Sequence, residues 1–164
     1  MKILVIYGST TGTTEGVAEQ IADKLGATAV NVADVTDEQI AGADNLILGS
    51  STWGAGELQD DWYDGLEKLK AADLSGKTVA IFGVGDSASY SDTFCGSMAE
   101  IYHALENSGA QIVGAVPTDG YQFDDSASVI DGEFVGLALD EDNESDKTAE
   151  RIDAWVKEIT PYLK

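Results

Sequence analysis

Apolar runs alternate with stretches of helical periodicity along nearly the whole chain, the pattern of strand-helix-strand units laid around a parallel sheet. Five runs read as strands: Lys2 to Tyr7, Thr28 to Asn31, Asn45 to Gly49, Thr78 to Phe82 and Gln111 to Val116, each bounded by glycines or polar turns. The apolar positions in these runs are mostly consecutive, as in strands covered on both faces. Helical spacing predicts helices over Thr13 to Leu25, Trp62 to Leu69, Phe94 to Asn107 with Gly109 just beyond its end, and Thr148 to Leu163. One stretch, Pro117 to Asp142, breaks the alternation. It holds two strand-like pieces, Ser128-Val129-Ile130 and Glu133-Phe134-Val135, joined by the hairpin pair Asp131-Gly132. It has too few apolar residues for a core of its own. The chain is therefore expected to form one domain over residues 1–164, with an insertion at about 117–142 in or after the fifth strand.

Composition narrows the class. The chain has 164 residues, 43% of them hydrophobic and only two proline, which suits a single compact domain. Thirty acidic against nine basic side chains give a formal charge of −21, which argues against nucleic acid and anionic membranes as partners and favours basic proteins. Cys95 is the only cysteine, so no internal disulfide can form and a reducing, cytoplasmic setting is expected. Met1-Lys2-Ile3 enters the first strand pattern at once, without a charged leader, and no apolar run approaches the roughly 20 residues that span a bilayer.

Ligands of such sheets bind at the carboxyl ends of the strands, near the point where strand order reverses. Three unusual loops fall there. The first, Gly8-Ser9-Thr10-Thr11-Gly12-Thr13-Thr14, leads straight into the first helix, where free amides and the positive end of the helix dipole favour an anion. From Ile3 to Asp23 there is no Lys or Arg, and neither the P-loop nor the dinucleotide glycine pattern is present. Hydroxyls and amides alone suit one terminal monophosphate better than a polyphosphate. The same run would also serve as a simple helix cap. The second loop, Ser50 to Gln59, carries Trp53 beside Gly54 and Gly56, and the third, Gly83 to Phe94, carries Tyr90. Two aromatic rings and a phosphate cradle at one sheet edge point to a planar heterocycle on a phosphorylated tether.

In these residues the chain resembles the flavodoxins. Gly8 to Thr14 looks like their phosphate loop, and Thr52-Trp53-Gly54 and Gly85-Asp86 with Tyr90 look like their flavin loops. The 117–142 stretch is similar to the insertion of the long-chain subgroup. The resemblance covers essentially the whole chain. It implies an α/β, doubly wound, five-stranded parallel sheet of order 2-1-3-4-5 with helices on both faces. It further implies one non-covalent FMN and one-electron transfer, not enzymatic turnover. Carried over, Ser9, Thr10, Thr11, Thr13, Thr14 and the Gly12 amide would hold the phosphate, and Thr52 would sit near the ribityl end. Trp53 would cover the inner flavin face and Tyr90, with Phe94 close by in the chain, the outer one. Backbone groups of Asp86 and Cys95 would address the pyrimidine edge. The Gly54-Ala55 peptide would be the one that flips when N5 takes up a proton, and Asp142 would reach the ribityl chain. No metal site is expected, and the acidic run Asp140 to Asp146 reads as a solvated loop.

A single carboxylate at ~10 Å from the flavin opposes the added charge by roughly 1.7 kcal/mol at an effective dielectric of ~20, on the order of 70 mV for one electron. With Glu57, Asp60, Asp61, Asp64, Asp86 and Asp92 around the loops, a low potential is expected. The implied partners are basic redox proteins, flavodoxin or ferredoxin reductases and acceptor enzymes, which a monomer would meet transiently. The alternative on the same fold is an FMN-dependent NAD(P)H:quinone oxidoreductase, which needs room for a second planar substrate where Tyr90 would stack. A phospho-acceptor receiver domain would need an acidic pair after the first strand, an acceptor Asp after the third and a Lys after the fifth, and this chain has none of these.

Overall fold

The computed structural model describes residues 2–9, 12–53 and 56–164. Its central sheet is built from β1 (Ile3–Gly8), β2 (Thr28–Asn31), β3 (Asn45–Trp53), β4 (Thr78–Val84), β5 (Gln111–Val113) and β6 (Leu137–Leu139). Helices α1 (Thr13–Leu25), α2 (Asp37–Gly42), α3 (Asp61–Ala71), α4 (Ser97–Leu105) and α5 (Ser145–Ile159) connect and cover them. All neighbours among these strands are parallel, and the order is β2-β1-β3-β4 with β5 and β6 both paired to the outer edge of β4. With β5 and β6 counted as two halves of one fifth strand, this is the expected order 2-1-3-4-5.

The split replaces the continuous strand expected over Gln111 to Val116. Gly114 takes φ 92, which turns the chain out of the sheet, and its carbonyl accepts the Trp155 indole N–H at 2.9 Å. The chain re-enters at Leu137, opposite Phe82. The insertion thus leaves the sheet after Val113 and returns before Leu137, inside the fifth strand and shifted from the expected 117–142. Within it Val129 pairs with Phe134 and Ile130 with Glu133, across Asp131 and Gly132 at φ 56 and 84, both left-handed as a tight hairpin turn requires. Val116–Pro117 adds a third short strand to this hairpin.

Period-two alternation along the strands sends side chains to two buried layers. Val5, Ile47, Ala80 and Phe82 pack with Val17, Ile21, Ile152 and Trp155 of α1 and α5; Leu4, Ile6, Leu46, Leu48 and Ile81 pack with Ile40, Trp62, Met98 and Ile101 of α2, α3 and α4. Helix α2 was not anticipated from periodicity. Its signal is local instead: Thr36 accepts from Gln39 N, and the Gln39 side chain accepts from Thr36 N, a complete capping box. Helix α4 begins at Ser97, later than the expected Phe94, because Cys95 has φ 50 and cannot be helical.

One helical position is open to improvement. Gly16 lies in the first turns of α1 with no atom within 4 Å of where a Cβ would stand. Gly16→Ala should therefore stabilise the fold by about 0.5–1 kcal/mol through lower backbone entropy in the unfolded chain. Thermal unfolding should show a rise of roughly 1–4 °C, and a fall would mean that the helix is strained there.

Candidate functional site

At the carboxyl end of the sheet, the loops after β1, β3 and β4 enclose a cleft of about 250 Å³, lined by Thr13, Thr14, Ser51, Thr52, Trp53, Val84, Gly85, Asp86, Tyr90 and Asp142. Each of the three predicted loops contributes, and Asp142 arrives from the turn after β6. Thr10, Thr11, Gly54 and Ala55 lie outside the described residues.

The first loop delivers a helix N-terminus to the cleft. Gly12 has φ 93 and starts α1, its carbonyl accepting from Gly16 N at 3.1 Å, and no side chain among the described residues caps the first turn. The simple-cap reading of the hydroxyl run therefore gains no support among the described residues. Instead Thr14, 1% exposed, keeps a buried hydroxyl oxygen with no partner among the described residues. Such an atom costs roughly 1–3 kcal/mol unless a ligand satisfies it. The Gly12 amide is placed differently from expectation, since it donates to Ser9 Oγ at 3.0 Å. Because the Ser9 oxygen accepts in that bond, its own O–H remains able to donate.

The second loop fixes an aromatic ring. The Trp53 indole N–H donates to Ser51 Oγ at 2.9 Å, and Thr52 Oγ1 shares a 2.8 Å hydrogen bond with Ser97 Oγ. Tyr90 stands on the third loop, its amide bonded to the Asp86 carbonyl at 2.9 Å. Trp53 is 42% and Tyr90 51% exposed, large for aromatic rings on a protein that buries Trp62 and Trp155 completely or nearly so. Two exposed rings lining one cleft suit a planar guest.

Carboxylates hold the third loop together. Asp86 Oδ1 accepts from Ser89 N at 2.9 Å, Ala88 N at 3.1 Å and Asn143 Nδ2 at 2.8 Å. These donors, the Ser89 amide foremost, hold the Asp86 carboxyl below its usual range. Asp140 is fully buried, which corrects the reading of 140–146 as wholly solvated. It accepts from the Ser87 amide and hydroxyl and from Asn143 N at 3.0 Å, so the turn after β6 is tied to the Tyr90 loop. Asp142, exposed at the cleft wall, has its pKa raised by burial first and then by the neighbouring charges of Asp86, Asp140 and Glu141.

Four described residues of the predicted site, Ser9, Gly12, Phe94 and Cys95, do not join the lining. Phe94 is buried, with its ring centroid 5.8 Å from Phe123 and 5.9 Å from Phe134 of the insertion, so its side chain serves the core. Cys95 is buried directly behind Gly85, and burial pushes its thiol well above the ordinary range, which makes it an inert packing residue. Only its main chain can reach toward the cleft. Conversely, Ser51, Asp140 and Asn143 are not among the expected site residues, although Ser51 stands within the Trp53 loop and the other two in the acidic run after β6.

The comparisons with known proteins agree with this geometry. The family model described as Flavodoxin matches residues 5–155. The chain is 43% identical over 161 residues to a flavodoxin of Nostoc sp., covering 96% of this chain and 95% of that one. It is 42% identical over 163 residues to flavodoxin 1 of Escherichia coli K12, covering 97% and 93%. The chain belongs to the flavodoxin family. Among solved structures, Fusobacterium nucleatum flavodoxin bound to flavin mononucleotide superposes with a TM-score of 0.93 at 33% identity, covering 99% of each chain. The parallel sheet order and the helices on both faces are those expected of a flavodoxin.

Proposed function

We propose that this flavodoxin is a low-potential one-electron carrier, not an enzyme, that holds one FMN non-covalently in the cleft and shuttles electrons between a reductase and acceptor enzymes. The carrying observation is the orphaned, buried Thr14 hydroxyl at the uncapped start of α1, in a cleft flanked by Trp53 and Tyr90. Neutral donors there fit a terminal phosphate, and the two rings fit an isoalloxazine. Ser9, Thr10, Thr11, Thr13 and Thr14 would hold the phosphate, with the Gly12 amide bracing Ser9, and Thr52 and Asp142 the ribityl chain. The main chain of Asp86 and Cys95 would meet the pyrimidine edge, and Gly54-Ala55 would answer protonation at N5. Bound there, FMN supplies the one-electron chemistry. The residues supply orientation, exclusion of water and a negative surround.

Charge is distributed for docking by this end. Lys2, Lys77 and Lys164 lie at the amino ends of strands, and Lys24, Lys68, Lys70 and Lys157 in or near the last turns of α1, α3 and α5, all at the pole opposite the cleft. Lys147 and Arg151, the remaining basic side chains, are both paired to Glu144 at 2.8 and 3.2 Å. The cleft end therefore presents carboxylates without a free cation among the described residues. Basic redox partners would be steered to it, weakly and transiently, in the cytoplasm, where the protein acts as a monomer. Among the described residues no helix is long and apolar enough to cross a membrane.

The purified protein should carry a flavin spectrum and oxidise NADPH only when a reductase is added, at a rate that falls as salt screens the docking. Rapid NADPH oxidation by the protein alone would favour the quinone oxidoreductase reading. A colourless protein that ignores added FMN would overturn both.

A further inference from the structure

We infer that Ser126 and Ser128, two buried serines of the insertion, are positioning residues for the cofactor cleft: they hold the backbone of Phe94 and Cys95 in the geometry that the cleft requires. The inference rests on the proposed FMN site and gives the insertion a role distinct from partner docking.

Ser128 Oγ donates to the Cys95 carbonyl at 2.7 Å and accepts from Ala99 N at 3.0 Å. Ala99 lies in the first turn of α4, whose N-cap, Gly96, offers no side-chain bond. Ser128 therefore provides from 29 residues away the side-chain cap that Gly96 cannot, beside the local bond from Ala99 N to the Gly96 carbonyl at 3.1 Å. Ser126 Oγ donates to the Phe94 carbonyl and accepts from Ser128 N at 3.1 Å, so the two hydroxyls form one connected set. Asp124 and Asp125 extend it, both amides donating to the Ser91 carbonyl at 2.9 and 3.0 Å.

What is held in this way is an unusual backbone. Cys95 sits at φ 50, a region that a residue with a Cβ occupies only when its surroundings impose it. Its main chain packs on Gly85, which lines the cleft, so closely that a Cβ on Gly85 would stand 2.9 Å from Cys95 N. With the Phe94 and Cys95 carbonyls both drawn toward the insertion, the Cys95 amide between them is fixed against Gly85. Removing the Ser128 hydroxyl leaves the buried Cys95 carbonyl and the Ala99 amide only their longer local bonds, from Met98 N at 3.2 Å and to the Gly96 carbonyl at 3.1 Å. The least costly relief is a shift of this backbone toward ordinary φ.

Dissociation of FMN from diluted holoprotein, followed by recovery of flavin fluorescence, tests this together with the midpoint potentials. Ser128→Ala should raise the FMN dissociation constant by about tenfold, the loss of roughly one buried hydrogen bond. It should also make the second-electron potential more negative, because the amide that would face the reduced ring edge is no longer held. Ser128→Thr should restore both. Ser126→Ala should act in the same direction and serves if Ser128→Ala does not fold. Val129→Ala, in the hairpin but away from the Phe94–Cys95 carbonyls, should lower the melting temperature without moving either readout. If wild-type protein retains FMN and both serine variants retain it equally, with unchanged potentials, the inference is overturned while the proposed function stands. A wild type that retains no FMN overturns the proposed function and this inference with it.

Discussion

Thr14→Val should raise the dissociation constant for FMN by about ten- to a hundredfold, while the ligand-free protein stays as stable as before or gains slightly. The two effects separate because the hydroxyl, 1% exposed, has no partner among the described residues. A methyl of the same shape removes a desolvated polar atom there at little or no cost. In the complex the same hydroxyl would donate to a phosphate oxygen, and hydrogen bonds to charged groups contribute about 1.5–3 kcal/mol. No lysine or arginine lies between Ile3 and Asp23 to compensate. Flavin fluorescence titration gives the first quantity and thermal unfolding of the apoprotein the second. An unchanged dissociation constant would remove Thr14 from the phosphate site. A large loss of apoprotein stability would show that its hydroxyl has a structural partner after all.

The largest effect on stability is expected at Gly136. A Cβ there would stand 2.0 Å from the carbonyl oxygen of Ile81 and 2.7 Å from its carbonyl carbon. Ile81 is a fully buried residue of β4, paired with Leu48 of β3 inside the sheet, so this backbone cannot move aside as the tip of a flexible side chain could. Gly136→Ala should therefore cost about 3 kcal/mol or more, and lower the melting temperature by roughly 6–12 °C. The damage should reach the cofactor as well. Gly136 opens β6, and β6 delivers Asp140 to the Ser87 amide and hydroxyl beneath the Tyr90 loop. Weaker FMN retention should accompany the lower melting temperature. A melting temperature within 2 °C of wild type would mean that the insertion can return to the sheet by another path.

The two substitutions also mark what could be read from sequence. Thr14 was legible because its surroundings are local: a strand, a glycine, hydroxyls and a helix pattern in consecutive residues define an anion cradle without any distant contact. Trp53 and Tyr90 were legible for a related reason, as aromatic residues in loops that must converge once a parallel sheet is assumed. Gly136 was not. Its requirement comes from Ile81, 55 residues away in sequence, and nothing in Val135-Gly136-Leu137 announces that distance. The split of the fifth strand was hidden similarly, since Gly114 turns the chain aside and Trp155 binds its carbonyl from a helix 41 residues later. Helix α2 was locally written in Thr36 and Gln39, but it is too short for periodicity to reveal. The placement of Phe94 turned on partners in the insertion, and the burial of Asp140 on donors from Ser87 and Asn143. A carboxylate in an acidic run reads as solvated until those donors are found.

By itself the sequence determined the class of the molecule: alternating strands and helices, the three loops that form the cleft, a phosphate cradle without cations and a strongly acidic surface. These follow from periodicity, glycine placement and charge, which act over a few residues or over the whole chain at once. The tertiary structure decided what depends on two specific distant segments meeting. It set where the fifth strand breaks, which hydroxyls cap α4, why Cys95 can remain at positive φ, and which carboxylate is buried under the Tyr90 loop. Such pairings are chosen by the mutual satisfaction of buried donors and acceptors, a condition that no single stretch of sequence contains.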